Sequence, residues 1–252
     1  MTTTAPTTTA TRSPFTVDYS PTQELALLLR MLHRAGYNDH IAGHVTYRQP
    51  DGTLLLNPRE LTWDEVCAGD IVRISPEGEK LEGRWSVTRA IALHVELHRA
   101  RADAVVAVHH HPEWATVWSA AAEIPPVYDQ TSAFMPDDII FFPEYEGDVT
   151  DAGRARENVA ALGSAAAAFL GNHGVFVIAD SIAQAQMRCS AIEHRSRLAW
   201  RVRMIDRGHA QVMPAEAAAA LAHNIEVRYG RWEHLFEAMA RREIRNDPTV
   251  LD

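Results

Sequence analysis

Three consecutive histidines, His109-His110-His111, close the apolar run Ala104-Val105-Val106-Ala107-Val108 and are followed at once by Pro112. Small and β-branched residues in a run of this kind read as a buried strand. Strand side chains alternate with a period of two, so His109 and His111 share one face and His110 takes the outward one. Two imidazoles side by side at a strand end are suited to ligate a metal. The same residues also read as a solvated histidine cluster in a loop. A metal site needs at least one more donor, and Asn172-His173-Gly174 offers it, although a capping loop with a solvated imidazole fits that segment as well. Glu113 is a candidate fourth ligand, or an acid suited to a helix N-terminus. His94 and His98 form His-x-Glu-x-His, unlike the His-Glu-x-x-His of zinc proteases. They are expected on a helix packed behind the site, with His94 donating a hydrogen bond to it.

The elements that must hold these residues follow from periodicity and turn chemistry. Pro21 to Ala35 reads as a helix with Leu25, Leu28, Leu29 and Leu32 on one face and Gly36 as its stop. Val45–Arg48 and Thr53–Leu56 flank Gln49-Pro50-Asp51-Gly52 as a hairpin. Asp70–Ile74 is a strand, Thr88–Arg101 a helix, and a further helix opens at Pro112. Ile139–Phe142 and Val175–Ala179 are strands. Asp151–Leu170 reads as an alanine-rich helix stopped by Gly171. A long helix starts at Ser181 and reaches about Ile205, with Glu193, Arg195 and Arg197 on a solvated or intersubunit face. Helices continue past Pro214. Strands and helices interleave with no repeat or linker, which predicts one layered α/β or α+β domain.

Composition narrows the function. The chain has 252 residues, 46% hydrophobic and 23% charged, enough for one large core. A formal charge of −9 argues against a nucleic-acid or anionic-membrane partner. The two cysteines, Cys67 and Cys189, form no CxxC pattern and suit a reducing cytoplasm. No apolar stretch reaches the length of a membrane span. Residues 1–18, biased to Thr, Ala and Pro, read as a disordered tail without the apolar core of a signal peptide.

Gly43-His44-Val45-Thr46, the helix ending His98-Arg99-Ala100-Arg101-Ala102-Asp103, the Val108–Pro112 run and Asn172-His173-Gly174 together resemble the class II aldolase/adducin family, over about residues 20 to 205. The resemblance implies a three-layer α/β/α sandwich around a mostly antiparallel sheet, spanning 19–206, with 207–252 as a helical extension of the same domain. It implies one divalent metal per subunit (zinc, manganese or iron(II)) on His109, His111 and His173. It also implies a homotetramer with the site at a subunit interface. The departures carry the chemistry. Ala90 stands where family aldolases keep a Glu that helps hold the metal and moves protons, and alanine can do neither. The sugar-phosphate loop becomes Gly43-His44-Val45-Thr46, and its Ser-Ser pair becomes Thr88-Arg89.

These changes point to a carboxylate substrate, contacted by Arg89, Thr88, His44 and Thr46, with the Arg89 guanidinium matched to the carboxylate, although Arg89 also reads as a surface residue of the first helical turn and His44 as a core or hairpin histidine. Loss of CO2 beside a hydroxyl or carbonyl leaves a carbanion or enolate that a metal ion stabilises. Tyr128 lies near the place where family aldolases lend a tyrosine to the neighbouring subunit, and Asp129 is the alternative proton donor. A turn held by Asp129 fits the same residues. Trp114, Trp118 and Phe134 could line an aromatic site, or build core. The expected activity is therefore a metal-dependent decarboxylase of a hydroxylated acid, aromatic ones included. The alternatives are a non-haem iron decarboxylating oxygenase, like those of aminocoumarin biosynthesis that resemble this family, a sugar-phosphate aldolase, and a non-catalytic adducin-like assembly protein.

Overall fold

Eight strands form one sheet: β1 (His44–Arg48), β2 (Leu54–Leu56), β3 (Val72–Ile74), β4 (Lys80–Glu82), β5 (Val106–His110), β6 (Ile139–Phe142), β7 (Ala167–Leu170) and β8 (Gly174–Ala179). They appear in a computed structural model that describes residues 17–135, 138–143, 151–228 and 233–252. The order across the sheet is β4-β3-β2-β1-β5-β8-β7-β6, and every pairing is antiparallel except β6 with β7.

Strict alternation decides which layer each side chain joins. Val106 and Val108 of β5, with Val175, Val177 and Ala179 of β8, enter the larger core. Ala107, Phe176 and Ile178 enter the smaller core on the other face. Helices α1 (Pro21–Arg34), α3 (Glu113–Ala120), α5 (Ile182–Ile205) and α7 (Glu233–Asn246) build the first layer. Helices α2 (Ile91–Ala100) and α4 (Ala152–Leu162) build the second, through Leu93, Leu97, Val159 and Leu162. The result is the expected three-layer α/β/α sandwich. Each fully buried leucine, such as Leu25 or Leu28 of α1, contributes roughly 2 kcal/mol of burial free energy. A last helix, α6 (Ala215–Arg228), meets a small cluster with Val127 and Ala133.

The hairpin stands where periodicity places it, with Arg48 opposite Leu54. The alanine-rich helix does not run to Leu170. It ends at Leu162 with Gly163 as its cap, and Ala167–Leu170 pairs with β6 and β8. Alanine favours helix only weakly, and a slot between two strands, buried on both faces, overrides it. Glu193 and Arg195 are buried rather than solvated. Both carboxylate oxygens of Glu193 accept backbone N–H groups of Trp114 and Ala115 at the start of α3, and Arg195 donates to the Pro125 carbonyl. Residues 1–16 of the expected tail lie outside the described residues. Among the described residues no helix is long and apolar enough to cross a membrane.

Candidate metal centre

His109 is the penultimate residue of β5 and sits on the α2 side of the sheet, opposite His44 of β1 and Phe176 of β8. His111 follows two residues later, just past the strand. His173 comes from the β7–β8 turn, where Asn172 takes a left-handed backbone (φ 54°). One nitrogen of each of these imidazoles lies within 4.8 Å of the others, and no carboxylate joins the group among the described residues. Glycine permits the approach. A Cβ on Gly174 would meet the His110 carbonyl oxygen at 2.4 Å and the His111 ring at 2.8 Å.

The donor set fits a divalent cation. The Nδ1 of His109 donates to the Val175 carbonyl at 3.0 Å, which leaves the lone pair on Nε2. The Nδ1 of His111 bonds to Asp39 at 2.9 Å, while its buried Nε2 has no hydrogen-bond partner. An imidazole steered by a carboxylate on one nitrogen and bare on the other is the usual posture of a metal ligand. The bond to His111 holds the Asp39 carboxyl below its ordinary range. Burial, reinforced by the neighbouring imidazoles, pushes the His109 pKa far down, so it is neutral and able to ligate.

His110 takes the opposite face, but that face is not solvent. Its ring is fully buried against Trp63 and Tyr37, and its Nδ1 accepts the His111 N–H. Under Gly43, a Cβ would lie 2.1 Å from the same ring.

Behind the triad runs a buried hydrogen-bonded row. His44 Nδ1 meets His94 Nε2 at 2.7 Å, and His94 Nδ1 meets the Thr46 hydroxyl at 2.7 Å. That hydroxyl also meets His98 Nε2 at 2.7 Å, and His98 Nδ1 meets the Ala104 carbonyl at 2.8 Å. The helical spacing of His94 and His98 thus serves a row anchored on β1, and the bond of His94 goes to His44 rather than to a ligand of the triad.

A cavity of about 210 Å³ opens on the triad, lined by Ile41, Ala42, Gly43, His44, Asn57, Arg59, Thr88 and the three histidines. His44 and Thr88 are part of this lining. Thr46 does not, because its fully buried hydroxyl is spent on His94 and His98. Arg89, between Thr88 and the start of α2, is exposed and outside the lining. Arg59, which sequence reasoning missed, is the cation of the lining among the described residues. Its only signal was position, three residues past the end of β2, the hairpin partner of the strand that carries His44. Asp39 was missed too, for want of any periodic pattern in its loop. Asn57 accepts the Val45 N–H at 2.7 Å and so ties the end of β2 to the His44 strand. Glu113 is exposed on the first turn of α3 and does not join the donors. Tyr128 packs against the larger core, and Asp129 binds Ser132 and His194, so neither lines the cavity of its own chain. Trp118 is core, and Trp114 packs on Trp200. A second cavity, about 240 Å³, lies at the opposite strand ends around Glu24, Tyr47 and Glu237, with no histidine in its lining.

Comparisons with known proteins bear on the family and the fold. A 3,4-dihydroxyphthalate decarboxylase of Terrabacter sp. (strain DBF63) is 29% identical over 215 residues, covering 79% of this chain and 87% of that protein. A 4-hydroxy-3-prenylphenylpyruvate oxygenase/4-hydroxy-3-prenylbenzoate synthase of Streptomyces roseochromogenus subsp. oscitans is 28% identical over 163 residues. That match covers 62% of this chain and 58% of the relative, less than two thirds of its length. The crystal structure of an aldolase II superfamily protein from Pseudomonas syringae superimposes with a TM-score of 0.80 at 24% identity, covering 92% of this chain and 97% of that one. The family model of the class II aldolase and adducin N-terminal domain matches residues 23–200, a span that contains the triad, the cavity and the buried row. With the sandwich and the histidine cluster in hand, that match shows that the chain belongs to the class II aldolase and adducin N-terminal domain family.

Proposed function

We propose that this protein is a divalent-metal-dependent carbon–carbon lyase that removes CO2 from a hydroxylated carboxylic acid, aromatic acids included. The observation that carries the reading is a donor set of three imidazoles with no carboxylate, sharing one cavity with a guanidinium. A decarboxylase among the relatives supports it. His109, His111 and His173 would hold the metal, which supplies Lewis-acid stabilisation of the negative charge that develops on an oxygen beside the reacting carbon. Ala90, the N-terminal cap of α2, offers no acid, which counts against sugar-phosphate aldol chemistry.

Arg59 and Thr88 orient the substrate. An ion pair to the departing carboxylate would be lost as neutral CO2 forms, and would hold the ground state more tightly than the transition state. Arg59 therefore anchors a carboxylate that stays, which favours a dicarboxylic acid. Departure of CO2 leaves the bonding pair on carbon, and a proton must be delivered there. Tyr128 and Asp129 are too remote within one chain to do so, and serve only if a second copy carries them to the cavity. A second copy placed in this way would put the site at a subunit interface and make the protein a homo-oligomer, expected to be a tetramer.

The test is metal analysis of the purified protein together with CO2 release from 3,4-dihydroxyphthalate with dioxygen excluded. About one equivalent of metal, with turnover abolished by His173→Ala, is the expected result. Absence of bound metal, or metal retained after His173→Ala, overturns the reading. A strict need for dioxygen would transfer the protein to the oxygenase reading that the Streptomyces relative's name supports.

A further inference from the structure

The buried row behind His44 has a direction. A carbonyl oxygen only accepts, so the bond to Ala104 places the proton of His98 on Nδ1. A neutral His98 then offers a lone pair at Nε2, and the Thr46 hydroxyl must donate to it. A hydroxyl has one proton, so the same oxygen accepts from His94, whose proton is thereby placed on Nδ1. Neutral His94 is left with a lone pair at Nε2 and accepts from His44 Nδ1–H. His44 in turn is left with a bare Nε2, the one nitrogen available to the cavity it lines. All four residues of the row are buried, Thr46 and His94 completely, and a charged ring without a counter-charge is disfavoured there. No other placement of protons satisfies all four bonds with neutral rings.

We propose that His44, His94, Thr46 and His98 form a one-way hydrogen-bond relay that fixes His44 as an obligate acceptor, so that the cavity selects carboxylates bearing a hydroxyl group that donates to His44 Nε2. An imidazole free to exchange tautomers would greet a donor or an acceptor alike. The relay removes that freedom, because reversing His44 would leave two protons or two lone pairs facing each other at a buried contact. A ligand lacking the hydroxyl leaves the Nε2 lone pair unmet in a desolvated pocket, which is how a site built for an O–H rejects its deoxy analogue. His44 is not a fourth metal donor, since it is outside the group of nitrogens within 4.8 Å of one another. It sits beside that group, its ring centroid 4.9 Å from that of His109. Within this row His44 is the residue that touches the substrate, and His94, Thr46 and His98 are positioning residues that act through it. The inference rests on the lyase reading only in calling the bound acid a substrate.

The experiment uses the zinc-loaded protein with nitrogen-15-labelled histidine. Two-bond nitrogen–proton spectra should show His44 protonated at Nδ1, and Thr46→Val, which severs the relay without changing side-chain volume, should produce a mixture of tautomers. Equilibrium binding is then measured with 2,3-dihydroxybenzoate and with 2-hydroxybenzoate, which lacks the second hydroxyl. The wild type should prefer the former by about tenfold, the magnitude of one hydrogen bond between ligand and site. His44→Phe should erase that preference with zinc content unchanged. A His44 proton on Nε2, equal affinity of the wild type for the two probes, a preference that survives His44→Phe, or zinc lost with His44→Phe each overturns the proposal. Failure of the lyase reading shows separately, as no CO2 release with the tautomer and the probe preference intact.

Discussion

His109 and His111 have their roles set by what the second nitrogen of each ring meets. A backbone carbonyl holds His109, and a carboxylate holds His111. His110 is denied a place at the site by strand alternation and is buried on the other side. Asp39 is the residue most open to a quantitative test. Removing its charge with Asp39→Asn keeps an acceptor for His111 Nδ1 but lowers the basicity of the ring. Competition with a chelator should show metal affinity reduced about 10- to 100-fold, while His111→Ala should abolish stoichiometric binding. A wild-type affinity in Asp39→Asn would remove Asp39 from the site. At the same scale, sequence reading singled out the three histidines that cluster, because they sit on or beside a strand whose period is known. It missed Asp39 and Arg59, because loop residues have no period and reach the cavity only through the path of the chain.

At the level of elements, two close approaches decide whether the site forms. Gly43 takes φ +81°, and a Cβ there would lie 2.1 Å from the His110 ring and 2.8 Å from the His109 carbonyl oxygen. Gly43→Ala must therefore shift the start of β1 that carries His44. We expect a loss of about 2 kcal/mol or more in denaturant unfolding, with reduced metal content. A stability equal to wild type would contradict the packing. The second approach joins helices far apart in sequence. Glu193 of α5 caps the first turn of α3 with both oxygens, and burial pushes its carboxyl up to about 7 despite those two N–H donors. Its folded pKa is raised, so its contribution is fully present below the unfolded value near 4.5 and is lost as pH rises toward 7. Glu193→Gln removes that opposing trend, and its unfolding free energy should fall more steeply than wild type as the solution is acidified across this window. Parallel pH slopes would count against the cap. No pattern in the α5 sequence distinguishes Glu193 from a solvated acid, because its partners are amides of another helix.

Across the whole molecule, stability toward acid is governed by buried imidazoles. His98 is pushed down to about 4, His110 to about 3, and His94 well below its ordinary value, all mainly by burial. A depressed histidine stabilises the fold above its unfolded pKa near 6.5, and that contribution is lost as pH falls toward the folded value. Each group contributes a slope of at most about 1.4 kcal/mol per pH unit, so three of them outweigh the opposite slope of Glu193. The metal-free protein should therefore lose stability steadily from about pH 6.5 down to about 4, read as a falling denaturant midpoint. A flat profile over that range would mean that these rings are protonated in the fold, and it would break the neutral relay as well.

The sequence by itself pointed to the three clustered histidines, the hairpin and the layered class, since alternation, turn chemistry and the order of strands and helices are local or nearly local properties. Its resemblance to the family also marked Ala90 as the place where family aldolases keep an acid. Only the tertiary structure decided the rest. The alanine-rich segment after Gly163 is a strand because β6 and β8 leave a buried slot for it. Arg59 replaces Arg89 in the cavity because β2 ends beside β1, whereas Arg89 precedes α2 and faces outward. Thr46 belongs to a relay rather than to the substrate because two histidines one helical turn apart meet its hydroxyl. Each of these outcomes depends on contacts between elements distant in the chain, and local periodicity carries no record of them.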